Sequence, residues 1–249
     1  METTKSESIT NLPNQKSLQR LFDLIQKVAQ ADTEDLVKLA KIGGLNPLKD
    51  FTGANLTGVD LCGSDLSNAN FTNTILIQAN LRQADLNAAN LSQANLNNAE
   101  LGHANLISVN LNSANLINAH LNSANLIDAN LNSANLMEAD LSDANLSSAD
   151  LGRANLHSVN LSGANLSSAN LMHACLRHAN LIKADLCAVN LYGADLSFAD
   201  LRGADLRDVN LNSAIVENTV FGQNTGIPDE LKLDLQRRKA IFFEAETGK

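Results

Sequence analysis

Between Phe51 and Phe221 a leucine or another bulky apolar residue falls at every fifth position, and alanine or valine usually stands two residues before it. The run Ala114-Asn115-Leu116-Ile117-Asn118-Ala119-His120-Leu121 shows the unit: small, polar, large, then two residues of variable type. No single regular element places such leucines in one core. In an α-helix a step of five turns through about 500°, so successive leucines fall roughly 140° apart and smear around the axis. In a straight strand an odd step sends them to opposite faces. The backbone must therefore turn a corner once per pentapeptide.

Strand alternation returns to the same side after two residues, so the alanine and the leucine share an inward direction and the Asn or Asp between them points out. The two residues after the leucine form the corner, where Ser, Asn and Gly suit turns. Gly53, Gly58, Gly63, Gly163, Gly193 and Gly203 occupy the second corner position, where positive φ is expected. Val59, Val109, Val159, Val189 and Val209 replace the alanine, and Phe51, Phe71 and Phe221 replace the leucine, with Phe51 and Phe221 at the two ends. One such unit cannot bury its own apolar side, whereas stacked units share a continuous core, which is the logic of a solenoid.

The tandem A(N/D)LXX pattern, seen in Ala84-Asp85-Leu86, Ala134-Asn135-Leu136 and Ala204-Asp205-Leu206, resembles that of the pentapeptide-repeat proteins. The resemblance covers residues 49 to 222 and implies an all-β solenoid, a right-handed quadrilateral β-helix with four pentapeptides per coil. At ~4.8 Å between stacked strands, about nine coils make a tower on the order of 40 Å tall.

The flanks change composition. Residues 1–14 read as a disordered N-terminus, 15–48 as an N-terminal helical cap, 49–222 as the β-helix and 223–249 as a C-terminal helical cap and tail. Leu18, Leu21, Phe22, Ile25, Val28 and Ala29 recur at helical spacing behind Ser17, and a second helix is expected from Thr33 to Ile42. Such short helices need a surface to pack on, and an open edge of the first coil needs cover. Beyond the tower, Pro228, Asp229 and Glu230 start a helix whose apolar side carries Leu231, Leu233 and Leu235, ending in Ile241, Phe242 and Phe243. Leu231, Leu235, Ile241, Phe242 and Phe243 suit packing within the chain or a homodimer contact through the tail, and the sequence leaves both open. The tail is similar to those of cyanobacterial members of the family.

With 44% hydrophobic but only 3% aromatic residues, the core is built from small aliphatic side chains. The chain opens without an apolar leader and carries no membrane-spanning run, so a cytoplasmic location is expected. Cys62, Cys175 and Cys187 are isolated thiols. His103, His120, His157, His173 and His178 read as surface polar residues; even His173 and His178, one pentapeptide apart, belong to adjacent sides and diverge, whereas a zinc site needs convergent ligands. Outward Asp140, Asp150, Asp185 and Asp205 interchange with Asn along flat walls that offer no water-excluding cleft. The reading is a non-enzyme with no catalytic residue, cofactor or metal.

Residues 50–222 hold 16 acidic and six basic side chains, a net of −10, so the tower carries essentially all of the chain's −9. Nucleic-acid binding is not expected of such a surface. The resemblance implies an alternative, a DNA-mimicking modulator of DNA gyrase or another topoisomerase. Duplex DNA carries one charge per ~1.7 Å, about 25 over a 40 Å stretch, which the tower does not approach. The leading reading is therefore a non-enzymatic scaffold, regulatory in role, that binds an unidentified protein partner. A 20-residue period puts Ile75, Ile77, Ile117 and Met137 on one outward side, with Asn97 interrupting them, and Ile107 and Ile127 on the opposite side. Ile75 stands where Asn or Asp is usual. Tyr192, Phe198, Arg202 and Arg207 form a second candidate, since aromatic residues and arginine are enriched in binding hot spots.

Overall fold

A computed structural model describes residues 51–243; the expected N-terminal segments, 1–14 and 15–48, lie outside the described residues. From Asn55 onward each outward residue forms a parallel bridge with the residue 20 positions later, in the series Asn55↔Ile75, Ile75↔Asn95 and so on to Asp205↔Thr225. One turn of the chain is thus 20 residues, four pentapeptides, and the tower has four faces.

The bond pattern explains each letter of the repeat. In the pentapeptide around Leu116, Asn115 N–H donates to Ala94 O on the preceding coil (2.9 Å), while Leu116 and Asn118 donate to Asn135 O and Met137 O on the following one (2.7 and 3.1 Å). Ala119 N–H closes the corner on Leu116 O at 3.0 Å. The fifth donor, Ile117 N–H, points at Asn115 Oδ1 (3.4 Å). The same side-chain acceptor serves Ser142 from Asp140, Ser167 from Asn165 and Ser197 from Asp195. The outward Asn or Asp is therefore a built-in turn acceptor as well as a solvated group, and with it all five backbone donors of a unit are satisfied. Asparagine adds a donor that aspartate lacks: Asn160 Nδ2 reaches Asp140 Oδ1 and Asn180 Nδ2 reaches Asn160 Oδ1, tying successive coils together.

Positive φ at the second corner position is not confined to glycine. Ser113, Asn118, Asp128, Glu138, His178 and Phe198 all hold φ between 55° and 63° there. Such a backbone costs roughly 1–2 kcal/mol in a residue with a Cβ, and it is held because the same residue's N–H is bonded to the next coil.

Leucines from Leu61 to Leu206 at the central positions are almost wholly buried, as are their alanine partners from Ala69 on. Leu56 and Val59 in the first described coil, and Val209 in the last, are only half-buried. Each buried leucine contributes about 1.5–3 kcal/mol of transfer free energy. Phe51 stacks on Phe71 at 5.1 Å.

At the C-terminal end the repeat gives way without leaving its axis. Strand β1 (Val220–Phe221) pairs in parallel with β2 (Ile241–Phe242), and between them runs helix α1 (Asp229–Arg237), preceded by Pro228. Val220 faces Ile241, a step of 21 rather than 20, because the helix replaces two sides of a coil. Leu235 is fully buried. Arg238 donates to Leu211 O and Ala214 O, and Asn224 Nδ2 donates to Leu201 O and Ala204 O; for the two alanine carbonyls these side chains stand in for the backbone N–H of a further coil. Phe221 is not the last ring of the stack, since Phe242 lies on it at 5.0 Å. Among the described residues no helix is long and apolar enough to cross a membrane.

Candidate interaction faces

The face centred on Leu76, Leu96, Leu116 and Leu136 carries Ile77, Asn97, Ile117 and Met137 one above another, each half-buried between its neighbours. Ile75 lies on the same face, bridged to Asn55 and Asn95, and has no side-chain acceptor to offer Ile77 N–H. The period-20 assignment therefore holds for these four side chains. Asn97 is the polar member of the column. Its Oδ1 is buried without a hydrogen-bond partner, a state that costs about 1–3 kcal/mol for a neutral acceptor.

The adjoining face, centred on Leu91, Leu111, Leu131 and Leu151, has Ser92, Asn112, Asn132 and Gly152 at the corresponding positions. Here Asn112 Nδ2 donates to Asn132 O at 3.1 Å, and Asn132 Nδ2 approaches Asp150 Oδ2 at 3.4 Å. Ser113 and Ser133 hydroxyls donate to the Oδ1 atoms of Asn112 and Asn132. The ladder runs close to Gly152, where a Cβ would meet Asn132 Nδ2 at 2.9 Å.

Lower on the isoleucine face the column changes character. His157 meets His178 edge-on at 5.4 Å, His178 stacks on Phe198 at 5.0 Å, and Arg177 sits over the Phe198 ring at 5.8 Å while bonding Asp195 at 3.2 Å. Burial raises the Asp195 carboxyl, but the Ser197 hydroxyl and N–H and the Arg177 guanidinium outweigh it and hold the group below the ordinary carboxylate value. Sequence reasoning missed this cluster by comparing His173 with His178, one pentapeptide apart. The informative spacing was 20 to 21 residues, one coil. His173 instead meets Tyr192 at 5.7 Å.

The second expected surface is not brought together. Tyr192, Phe198, Arg202 and Arg207 follow four different central positions, Leu191, Leu196, Leu201 and Leu206, and so belong to four different sides of the coil. Both arginines are tied to their own outward aspartates, Arg202 to Asp200 and Arg207 to Asp205, each at 2.5 Å. The Arg207 hydrogen bonds hold Asp205 down to about 2. Of the tail residues, Leu235 is buried, Leu231 and Phe242 are half-buried, and Ile241 and Phe243 are exposed. Carboxylates favour the remaining two faces: Asp60, Glu100, Asp140, Asp143 and Asp200 stand on one, and Asp65, Asp85, Asp128, Asp185, Asp205 and Asp208 on the other. Among the described residues no three His, Cys, Asp or Glu side chains converge on a metal-sized site.

The family model for pentapeptide repeats matches eight copies in overlapping segments that run from residue 50 to 208, more than half of the chain. The chain belongs to the pentapeptide-repeat family. None of the curated proteins matches it. Among solved structures, it is similar to HetL, a pentapeptide-repeat protein involved in heterocyst differentiation regulation in the cyanobacterium Nostoc sp. strain PCC 7120, with 34% identity over 71% of this chain and 84% of HetL (TM-score 0.42). It is also similar to full-length QnrB1, a plasmid-mediated fluoroquinolone resistance protein, with 16% identity over 74% of this chain and 96% of QnrB1 (TM-score 0.54). Its fold is the right-handed quadrilateral β-helix.

In a pentapeptide-repeat tower the inward Ala and Leu build the core and the outward Asn or Asp closes the corner, so three positions of every five are committed to the fold. Individuality is left to the two residues after each leucine. On the isoleucine face Ile77, Ile117 and Met137 replace the common Ser or Asn, as Ile107 and Ile127 do on the opposite face.

Proposed function

We infer that this pentapeptide-repeat protein is a non-enzymatic interaction scaffold, regulatory in role, whose isoleucine face is the contact surface for a protein partner. One observation carries the reading: Ile77, Ile117 and Met137 stand half-buried in one column on a single wall, with Asn97 between the two isoleucines. Clustered apolar side chains gain by leaving water, and a patch of this kind marks contact sites. The regulatory role of HetL, at 34% identity, supports the same class of function.

A photo-crosslinking residue at Ile117 should give a covalent protein adduct in the native cell, and one at Asn112 on the adjoining face should not. Equal yields overturn the reading. The rival, a DNA mimic acting on a topoisomerase, would use the two acidic faces, and a gyrase supercoiling assay separates the two. The scaffold reading expects supercoiling to proceed unchanged in the presence of the protein at low and at high salt.

A further inference from the structure

We propose that the partner element seated on the isoleucine face is a single α-helix lying along the tower axis, with one hydrogen-bonding residue opposite Asn97 that fixes its register. The inference rests on the isoleucine face being a contact surface, and three observations take it further.

The wall has no row of free backbone groups to offer; Ile77 N–H, which Ile75 leaves without an acceptor, is a lone donor. On this face Leu76, Gln78, Asn95, Leu96, Asn98, Asn115, Leu116 and Asn118 all donate their N–H groups to the coil above or below. Strand addition needs a row of free donors and acceptors, so the partner is read by side chains rather than by strand pairing.

The spacing fits a helix. Rungs of the wall stand ~4.8 Å apart, and an α-helix presents one residue per 5.4 Å turn along a stripe. Across the three intervals from Ile77 to Met137 the two rulers differ by only about 2 Å, within the reach of side chains. A helix with one residue per turn facing the wall thus meets Ile77, Asn97, Ile117 and Met137 in succession.

The column contains an uncommitted amide. Asn97 Oδ1 is buried and without a partner, and its Nδ2 makes no bond among the described residues, unlike the amides of Asn112 and Asn132 on the adjoining face. Rotation of the carboxamide turns the acceptor outward at no loss of a hydrogen bond. One amide in an otherwise apolar seam is the device that sets register and partner choice in coiled coils, where it sacrifices stability for specificity. The complementary helix carries an apolar residue, then Asn, Gln or Ser four positions on, and apolar residues seven and eleven positions on, read in one direction or the other along the tower.

The probes are helix-forming peptides with that pattern in both sequence directions, each made with Asn or with Leu at the fourth-position site, and the readout is fluorescence anisotropy against the full chain. The wild type should bind one Asn peptide in the micromolar range and at least tenfold more tightly than its Leu counterpart. Asn97→Leu should reverse that preference, and Ile117→Lys should abolish binding of both. Because the reversal compares two peptides on one folded protein, a change in stability does not mimic it. Equal binding of the two peptides, a preference that Asn97→Leu leaves unmoved, or no binding by any peptide overturns the helix proposal. The crosslinking contrast between Ile117 and Asn112 tests the contact surface itself, so the two failures remain distinguishable.

Discussion

The isoleucine and asparagine faces are two adjoining walls of one coil, built on the same backbone and the same buried leucines, and they differ mainly in the first residue after each leucine. On the asparagine face that residue closes on its neighbours: Asn112 reaches Asn132, Asn132 reaches toward Asp150, and serine hydroxyls occupy their acceptors. On the isoleucine face the same position carries aliphatic side chains and one amide with a buried, unpaired oxygen. One wall is satisfied by itself; the other is left with interactions still to make. A repeat can therefore keep its fold constant and hold its function in a single position of five.

The largest test of this contrast should show no contrast at all. Leu116→Asp and Leu111→Asp place an unpaired carboxylate in the same core beneath the two faces, and each should cost several kcal/mol and remove cooperative melting of the middle coils, as followed by circular dichroism. If only one of them unfolds the coil, the walls do not share a core. The next test separates the faces by sign. Asn132→Leu should destabilise by about 1 kcal/mol through its lost bonds, whereas Asn97→Leu should stabilise by about 1 kcal/mol by removing an unpaired acceptor, both read from denaturant midpoints. The same sign at the two sites would erase the distinction.

Smaller still, Ile117→Lys should change stability by no more than about 0.5 kcal/mol, since its stem can lie along the wall with its charge in water. Partner contact should nevertheless be lost. The smallest effect lies outside both faces, at the Arg207–Asp205 pair. The folded Asp205 carboxyl is held at about 2 against 3.8 for the free group, so its contribution to stability is present above pH 3.8 and is lost as pH falls toward 2. Asp205→Asn should flatten stability over that window, as measured by acid titration of the melting temperature.

Much of the tower was readable in the chain because a step of five is incompatible with both a helix and a straight strand. The leucine spacing placed the core, and the period of 20 that the family resemblance implies placed Ile75, Ile77, Ile117 and Met137 on one wall. What escaped were features that depend on atoms rather than on periods. The role of the outward Asn as an acceptor for the N–H two residues on follows from side-chain geometry, as does the positive φ of Ser113 and Phe198. The His157, His178 and Phe198 column was accessible in principle, since its spacings are 21 and 20, but only if histidines are compared across a whole coil. Arg238 taking over the carbonyls of Leu211 and Ala214 had no sequence signal beyond a basic residue near the end of a helix.

Every coil consumes 20 residues, and the walls are quarter-turns of that cycle. Length in this molecule is therefore quantised. Removing one coil from the middle would shorten the tower by ~4.8 Å and return each later side chain to its own wall. Removing a single pentapeptide would leave every core leucine facing inward and yet rotate everything beyond the cut by a quarter-turn, carrying Met137, His157 and Phe198 away from Ile77. The fold tolerates both edits by its own rules, but only the first preserves the columns, so insertions and deletions in such a chain act on function as a rotation before they act on stability.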